Sequence, residues 1–233
     1  MLAFLRRTTR FVLVIPVAAL LAACGDSSGP GPAVPSLGAA QTYGILAGSA
    51  ISCVTGATVG GDIGLNPGGA SSITGFPTPC TRTGATHAAD AAAAAAQLDL
   101  TAAYDGLAGL ACGTTISADL GGTTLAPGVY CSGSGLNLTG ALTLSGSGTY
   151  VFQAGSALTV ATSGSVVLAS GAQSKNVYWK VGSSATLGSG SAMKGNIVAL
   201  TSISLGTTAN LVGRALARNG AVSLAGTNTI TLP

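Results

Sequence analysis

The sequence predicts a mostly β-stranded solenoid with a single α-helix alongside it. Only 6% of the 233 residues are charged and 36 are glycine, whereas about 25% of the residues in an ordinary soluble domain are charged. Short segments rich in Val, Ile and Leu recur roughly every 20 residues after position 115, which is typical of a solenoid. An alanine-rich stretch at about residues 86–110 has high helix propensity.

The N-terminus is typical of a bacterial export signal. Three arginines within the first ten residues precede a short apolar segment, residues 11–20. The LAAC sequence that ends at Cys24 resembles a lipobox, in which the peptide is cut before the cysteine and the cysteine carries a lipid. We therefore expect residues 1–23 to be a lipoprotein signal peptide and Cys24 to be lipidated. The alternative is an ordinary secretory signal with an incidental cysteine.

A flexible tether is predicted for residues 24–36, which are rich in Gly, Pro and Ser, and a folded domain for residues 37–233. Removal of the leader leaves six basic and six acidic residues, so the mature chain is formally neutral. It has no basic face for phosphates, and nucleic acid is not an expected partner. We expect a monomer that is exported and anchored by its lipid at the bacterial cell envelope or surface, with a released form as a further option.

Four cysteines remain after Cys24, at Cys53, Cys80, Cys112 and Cys131. In an exported protein they predict two disulfides, for which three pairings are possible. The local pairing of Cys53 with Cys80 and Cys112 with Cys131 is favoured because each bond would close one irregular segment. No metal site or cofactor is expected, since the chain has no CxxC motif and a single histidine, His87.

The elements follow in chain order. Residues 37–76 are strand-like, and a helix is predicted at about residues 86–110, with Thr86 as a plausible N-cap. Asp90 suits the positive end of the helix dipole. The expected apolar stripe of this helix is Leu98, Tyr104 and Leu107, and we expect the helix to cover the core.

Repeats occupy residues 115–232. Triplets that we align as the first strands of successive coils start at residues 129, 150, 177, 197 and 215. In the second strand of each coil, alternation points one row of residues inward: Leu138, Val160, Leu187, Leu205 and Leu224. The residues around them then form a flat, uncharged outer face. The candidate site on this face is Thr139, Thr159, Ala161, Thr162, Thr186, Gly188, Ser189, Ser204, Gly206, Thr207, Ser223, Ala225 and Thr227.

These segments resemble the microbial ice-binding (antifreeze) protein family. The stretches NVYWKVGSSATLG and GRALARNGAV are the most specific, and the resemblance covers about residues 37–232. It implies a right-handed three-faced β-helix with one long α-helix packed alongside. The solenoid would be discontinuous, with the N-terminal coil stacked near the C-terminal coil.

The resemblance also implies that one face, with recurring Thr-X-Ala/Gly-Thr-like patterns, binds ice. Residues 159–162, 186–189 and 204–207 match this pattern. The coil at Ser223 is interpreted as having an extra residue before Thr227, and Asn137 replaces the first hydroxyl in the earliest coil. The expected function is adsorption to the surface of an ice crystal, which would inhibit ice growth and recrystallisation or attach cells to ice.

A cell-surface adhesin that binds carbohydrate is the alternative, although only 4% of the residues are aromatic. An enzyme is not expected, because the chain has no glutamate and its six aspartates are scattered. Thr143 and Ser145 place hydroxyls on a second outer strand, but the later members of that row are less regular.

Overall fold

The protein is described by a computed structural model over residues 32–233. The predicted signal peptide and Cys24 lie outside the described residues, and the predicted tether overlaps them only at residues 32–36. There, Val34 packs against the hydrophobic cluster beneath the helix. Within the described part of the chain, no helix has the length and apolar character needed to cross a membrane.

Short parallel strands are the main regular elements of the described chain. They are β1 (Tyr43–Ala47), β2 (Ile51–Cys53), β3 (Thr58–Val59), β4 (Asp62–Leu65), β5 (Ile73–Thr74), β6 (Thr81–Arg82), β7 (Thr86–Ala88), β8 (Thr114–Thr115), β9 (Thr124–Leu125), β10 (Gly128–Ser132), β11 (Leu136–Leu138), β12 (Ala141–Ser145), β13 (Tyr150–Ala154), β14 (Leu158–Val160), β15 (Ser165–Ala169), β16 (Val177–Val181), β17 (Ala185–Leu187), β18 (Ala192–Ala199), β19 (Ile203–Leu205), β20 (Asn210–Ala217), β21 (Val222–Leu224) and β22 (Thr229–Thr231). The helix α1 is Ala91–Gly109, and short 3-10 helices lie at Gly38–Thr42, Ala70–Ser72 and Ser174–Asn176.

The strands form three faces. The flat face is a separate sheet in the order β11-β14-β17-β19-β21-β2-β5. The helix face runs β8-β10-β13-β16-β18-β20-β1-β4-β7, and the third face runs β9-β12-β15-β18-β20-β22-β3-β6. These two faces form one sheet because β18 and β20, eight residues each, continue around the corner between them. The predicted fold class, a three-faced β-helix with a helix alongside, is confirmed.

The N-terminal coil stacks on the C-terminal coil. Strand β1 pairs with β20, β2 with β21, and β3 with β22. Helix α1 then leads the chain along the helix face to the opposite end of the stack, from which the coils wind back. The predicted discontinuity of the solenoid is therefore present.

The interior of the solenoid holds the inward residues of all three faces. The rings of Tyr130 and Phe152 stack with centroids 5.4 Å apart, and those of Phe152 and Trp179 with centroids 4.1 Å apart. The indole N–H of Trp179 donates to the carbonyl of Lys194 at 2.9 Å. Trp179 is thus a packing residue, 1% exposed.

The helix begins later than predicted. Asp90 is its N-cap, and the carboxylate accepts the N–H of Ala93 at 2.8 Å. Thr86, the predicted cap, lies instead in β7, which pairs with β4 and ends the helix face. His87, expected on the helix, is also in β7, where its Nδ1 lies 2.8 Å from Asp90 Oδ2.

The helix also packs differently from the predicted stripe. Leu98 is 73% exposed, because the buried side of the helix is rotated by about one residue from the predicted stripe and includes Gln97 instead. The buried residues of the helix are Ala93, Ala96, Gln97, Leu100, Ala103, Tyr104 and Leu107. They pack on outward residues of the helix face such as Val151, Val198 and Leu216. Alanine at this contact allows the helix backbone to lie close to the sheet.

Two of the four predicted coil alignments are wrong by one or two residues. Tyr150 pairs with Gly128 rather than Val129, and Ile197 pairs with Trp179 rather than Val177. The turns between coils differ in length, so a common starting point cannot be read from apolar triplets. Both favoured disulfides, Cys53–Cys80 and Cys112–Cys131, are present.

Candidate functional site

A column of small polar side chains runs down the middle of the flat face. Each strand contributes its central residue, and consecutive members are directly paired across the sheet. This first column is Asn137, Thr159, Thr186, Ser204, Ser223, Ser52 and Thr74. With strands about 4.8 Å apart, seven strands place its ends about 29 Å from each other.

Alternation fixes the direction of these side chains. Leu158 and Val160, on either side of Thr159, are each 1% exposed, whereas Thr159 itself is exposed. The same pattern holds in β17 and β19, where the central residues Thr186 and Ser204 are exposed between buried neighbours. The apolar core beneath therefore holds the hydroxyl groups outward.

A second column lies at the strand ends, three residues after the first. It consists of Thr162, Ser189, Thr207, Gly226 and Thr55. Four of the five carry a hydroxyl and are exposed, and Gly226 interrupts the series. The first coil lacks this position because its turn is two residues shorter. Ala141 lies three residues after Leu138, whereas Ser165, its partner in the next coil, lies five residues after Val160.

Thr227 is not a member of either column, and the predicted extra residue before it is absent. Leu205 pairs with Leu224 and Asn210 pairs with Thr229, so the two turns are equal in length. Thr227 therefore lies opposite Thr208, one position beyond Thr207. Asn228 supports this turn from inside, where its amide donates to the carbonyls of Gly206 and Ala209 at 2.7 and 2.9 Å.

A shallow trough of about 460 Å³ separates the two columns. Its floor is formed by small residues at the position after each strand, among them Gly188, Gly206 and Ala225. A Cβ added at Gly188 would lie 2.7 Å from the backbone N of Thr162 and 2.7 Å from the carbonyl O of Val160. Gly188 thus lets adjacent coils approach at strand spacing, rather than presenting a group outward.

No charged side chain lines this trough. At the β11 end of the face, Asp119 extends the sheet through a bridge to Asn137. Its carboxylate accepts the hydroxyl of Thr139 at 2.5 Å and the N–H of Gly121 at 3.0 Å. These hydrogen bonds lower the pKa of Asp119. Thr139, a predicted site residue, is thereby tied to a charged group at the edge of the face.

The sequence interpretation missed the contribution of the N-terminal coil. Ser52 and Thr74 extend the first column, Thr55 extends the second, and Val54, 67% exposed, continues the trough. A signal was present, because Ile-Ser-Cys at 51–53 repeats the inward–outward–inward pattern of Ile-Ser-Leu at 203–205.

The other faces offer less regular surfaces. The helix covers much of the helix face. The third face exposes Val167 and carries Lys194, although Thr58, Thr81 and Thr229 form a short hydroxyl row at one end. In residues 32–233 no three His, Cys, Asp or Glu side chains are grouped closely enough to hold a metal ion.

Comparison with known proteins gives concordant matches. Residues 45–231 match the family model described as Ice-binding-like. An ice-binding protein from Nostoc sp. (strain HG1) is 44% identical over 197 residues, covering 82% of this chain and 72% of that protein. One from Flavobacterium frigoris (strain PS1) is 35% identical over 233 residues, covering 90% and 80% respectively.

Solved structures match as well. The crystal structure of the ice-binding protein from the Antarctic ascomycete Antarctomyces psychrotrophicus has a TM-score of 0.81 at 39% identity, and the match covers 86% of this chain and 99% of that chain. An ice-binding protein from an Antarctic biological consortium has a TM-score of 0.82 at 40% identity, with 95% and 96% covered.

Proposed function

The chain belongs to the Ice-binding-like family, and we propose that it adsorbs to ice through the flat face. Bound protein would inhibit ice growth and recrystallisation or hold a cell at the ice surface. The observation that carries this proposal is the pair of in-register hydroxyl columns on a rigid, uncharged sheet. The carbohydrate adhesin considered as an alternative is not supported by the relatives, which are ice-binding proteins.

The chemistry of the columns suits a lattice of water. Threonine offers a hydroxyl and a methyl on a stiff side chain with few rotamers, so little side-chain entropy is lost on binding. The hydroxyl groups anchor water molecules, and the methyl groups together with Ala161 and Ala225 order the water between them. A charged side chain would hold its own hydration shell and disturb this order.

The scaffold supplies the spacing. The first column repeats at the distance set by backbone hydrogen bonds between strands, about 4.8 Å. Buried apolar residues on either side of each central hydroxyl hold it outward, and Gly188 in the trough allows close approach of adjacent coils. The face therefore presents many weak groups together without rearrangement, which offsets the small contribution of each group.

We propose that ice meets the central part of the face. Thr159, Thr186 and Ser204 in the first column, together with Thr162, Ser189 and Thr207 in the second, form its continuous double row. Thr139 lies at the margin because its hydroxyl donates to Asp119. Thr227 lies in the turn beyond the second column.

Export and lipid anchoring remain proposals that rest on the sequence of residues 1–24. A lipid on Cys24 would attach the protein to the bacterial cell envelope, and this would favour protection of the cell or its adhesion to ice. The protein is proposed to act as a monomer, since the flat face is complete within one chain. We propose no enzymatic activity.

The experiment replaces Thr159 and Thr186 together by Tyr and examines a small ice crystal in the protein solution. These residues are paired on adjacent strands. A matched control replaces Thr229 and Thr58, which are paired and exposed in the same way on the third face. We expect faceting and the gap between freezing and melting to be lost in the first variant and retained in the control. A folded first variant with an unchanged gap would refute the assignment of the face.

A further inference from the structure

A pocket of about 440 Å³ lies beside the helix face, away from the flat face. Its wall includes the side chains of Lys175, Tyr178 and Arg214, the apolar residues Val34 and Pro35, and Pro233. Two cationic side chains therefore share this pocket, and no aspartate lines it. Its volume lies within the range of about 300–1,000 Å³ typical of small-molecule sites.

Arg214 is held in place by neutral partners. Its Nε donates to the carbonyl of Gln41 at 2.9 Å, and its Nη1 donates to Oδ1 of Asn196 at 2.8 Å. Asn196 is fully buried, and its amide donates to the carbonyls of Lys175 and Val177, both at 3.2 Å. The buried side chain of Asn196 therefore fixes the orientation of the Arg214 guanidinium.

The positive charge of Arg214 lacks an acidic partner among residues 32–233. Arg218, four residues later, forms an ion pair with Asp105 at 2.9 Å, but Arg214 has no such contact. Burial lowers the pKa of Arg214, which indicates that its charge is incompletely solvated. A guanidinium has five N–H donors, and Nη2 makes no hydrogen bond within the described structure.

Polar groups on neighbouring strands surround Arg214 at one end of the pocket. Tyr178, Asn196 and Arg214 occupy paired positions on β16, β18 and β20, which brings the Tyr178 side chain to the same wall of the pocket as Arg214. Lys175 and Asn176 approach from the 3-10 helix that precedes β16. Val34 and Pro35, both half-buried, add apolar groups to the lining of the pocket.

We propose that this pocket binds a small organic carboxylate, whose oxygens meet Arg214 and Lys175 and whose carbon skeleton lies against Val34 and Pro35. The planar guanidinium matches the geometry of a carboxylate, and Lys175 adds a point charge. The apolar wall favours an organic acid over inorganic phosphate. This site is independent of the flat face and of the proposed adsorption to ice.

The test is a titration of the intact protein followed by NMR of its backbone amides. Acetate, succinate and inorganic phosphate are the probes, and succinamide is the uncharged control for succinate. We expect saturable shifts with acetate or succinate at the amides of Asn176, Tyr178 and Arg214, and none with succinamide. Saturation by phosphate alone would overturn the assignment to organic carboxylates, and absence of saturation by every probe would overturn the site.

Variants link the binding to the two cations. Lys175→Gln is expected to weaken binding about threefold to fivefold, as for one partly exposed ion pair. Lys194→Gln on the third face is the matched control and should leave the affinity unchanged. Equal affinities in these two variants would contradict the proposal. Arg214→Gln is expected to abolish binding, and if it fails to fold, Lys175→Gln still decides.

Discussion

Thr159 lies directly opposite Thr186 on adjacent parallel strands, with both side chains exposed above a buried row of aliphatic residues. Their pairing is fixed by the core, since a slip of one residue would bring Thr159 inside and Val160 to the surface. The position of each hydroxyl on the flat face is thus a consequence of the apolar residue next to it.

The N-terminal coil is predicted to take part in ice binding. Ser52→Tyr places a bulky ring in the first column beside Ser223, which shortens the flat area available to ice. We expect a reduced gap between freezing and melting, with part of the activity retained by the coils from β14 to β19. Thr58→Tyr, in the same coil but on the third face, should behave as the unchanged protein. A gap equal in both variants would exclude the N-terminal coil from the site.

The trough is predicted to require glycine. In Gly188→Ala, the new methyl group would meet the backbone of the preceding coil at 2.7 Å. We expect a loss of about 1–3 kcal/mol in the free energy of unfolding, as for overpacking in a core, measured by denaturant titration. Gly133→Ala is the control, because a Cβ there meets nothing within 4 Å. Equal stability of the two variants would show that the coils can separate without cost.

The helix N-cap is predicted to make stability depend on acid. The hydrogen bond from the Ala93 N–H, followed by that from His87, lowers the pKa of Asp90. The folded state therefore favours the ionised carboxylate, and its contribution is complete above the unfolded pKa of about 3.9. This contribution is lost as the pH falls through the lower pKa of the folded state.

Two substitutions separate the charge from the cap. Asp90→Ala should lower the melting temperature at neutral pH, whereas Asp90→Asn should lower it less because asparagine is also a good N-cap. Both should reduce the loss of stability on acidification, as followed by circular dichroism at stepped pH values. An acid dependence unchanged in both variants would assign it to other carboxylates.

The disulfide between Cys53 and Cys80 is predicted to stabilise the end of the flat face. It joins β2 to the turn before β6 across a separation of 27 residues. By the loop-entropy relation, replacing both cysteines with Ser should cost about 3 kcal/mol. Non-reducing mass spectrometry of the purified protein should find both bonds, and four free thiols there would contradict this prediction.

Much of the fold could be inferred locally, because alternation in segments such as 158–160 and 203–205 fixes which residues face the core. The alignment of whole coils could not be predicted as well. Gly128 pairs with Tyr150, and the pattern of apolar residues does not reveal the length of the turns that sets this pairing. The start of the helix was predicted too early, with Thr86 as N-cap, because Thr86 lies in β7, which pairs with β4, and Asp90 caps the helix instead. Local patterns carry no information on such pairing.

The sequence predicted the positions of the residues at the centre of the candidate site, but it missed or misplaced residues at the ends. Thr159, Thr186 and Ser204 occupy the positions expected for them, because each lies between two apolar residues. Ser52 was missed because its strand pairs with β21, which is distant in sequence. The sequence motif predicted an extra residue before Thr227. The pairing of Asn210 with Thr229 shows instead that this turn is as long as the one in the neighbouring coil.

The return of the chain along α1 has a consequence for biosynthesis. During synthesis the N-terminal coil is made first, yet its partners β20, β21 and β22 are the last strands to be made. The edges of β1, β2 and β3 therefore stay open until residues 210–231 have been synthesised. A truncated product would expose these edges to other chains, so completion of the polypeptide also serves to protect it from aggregation.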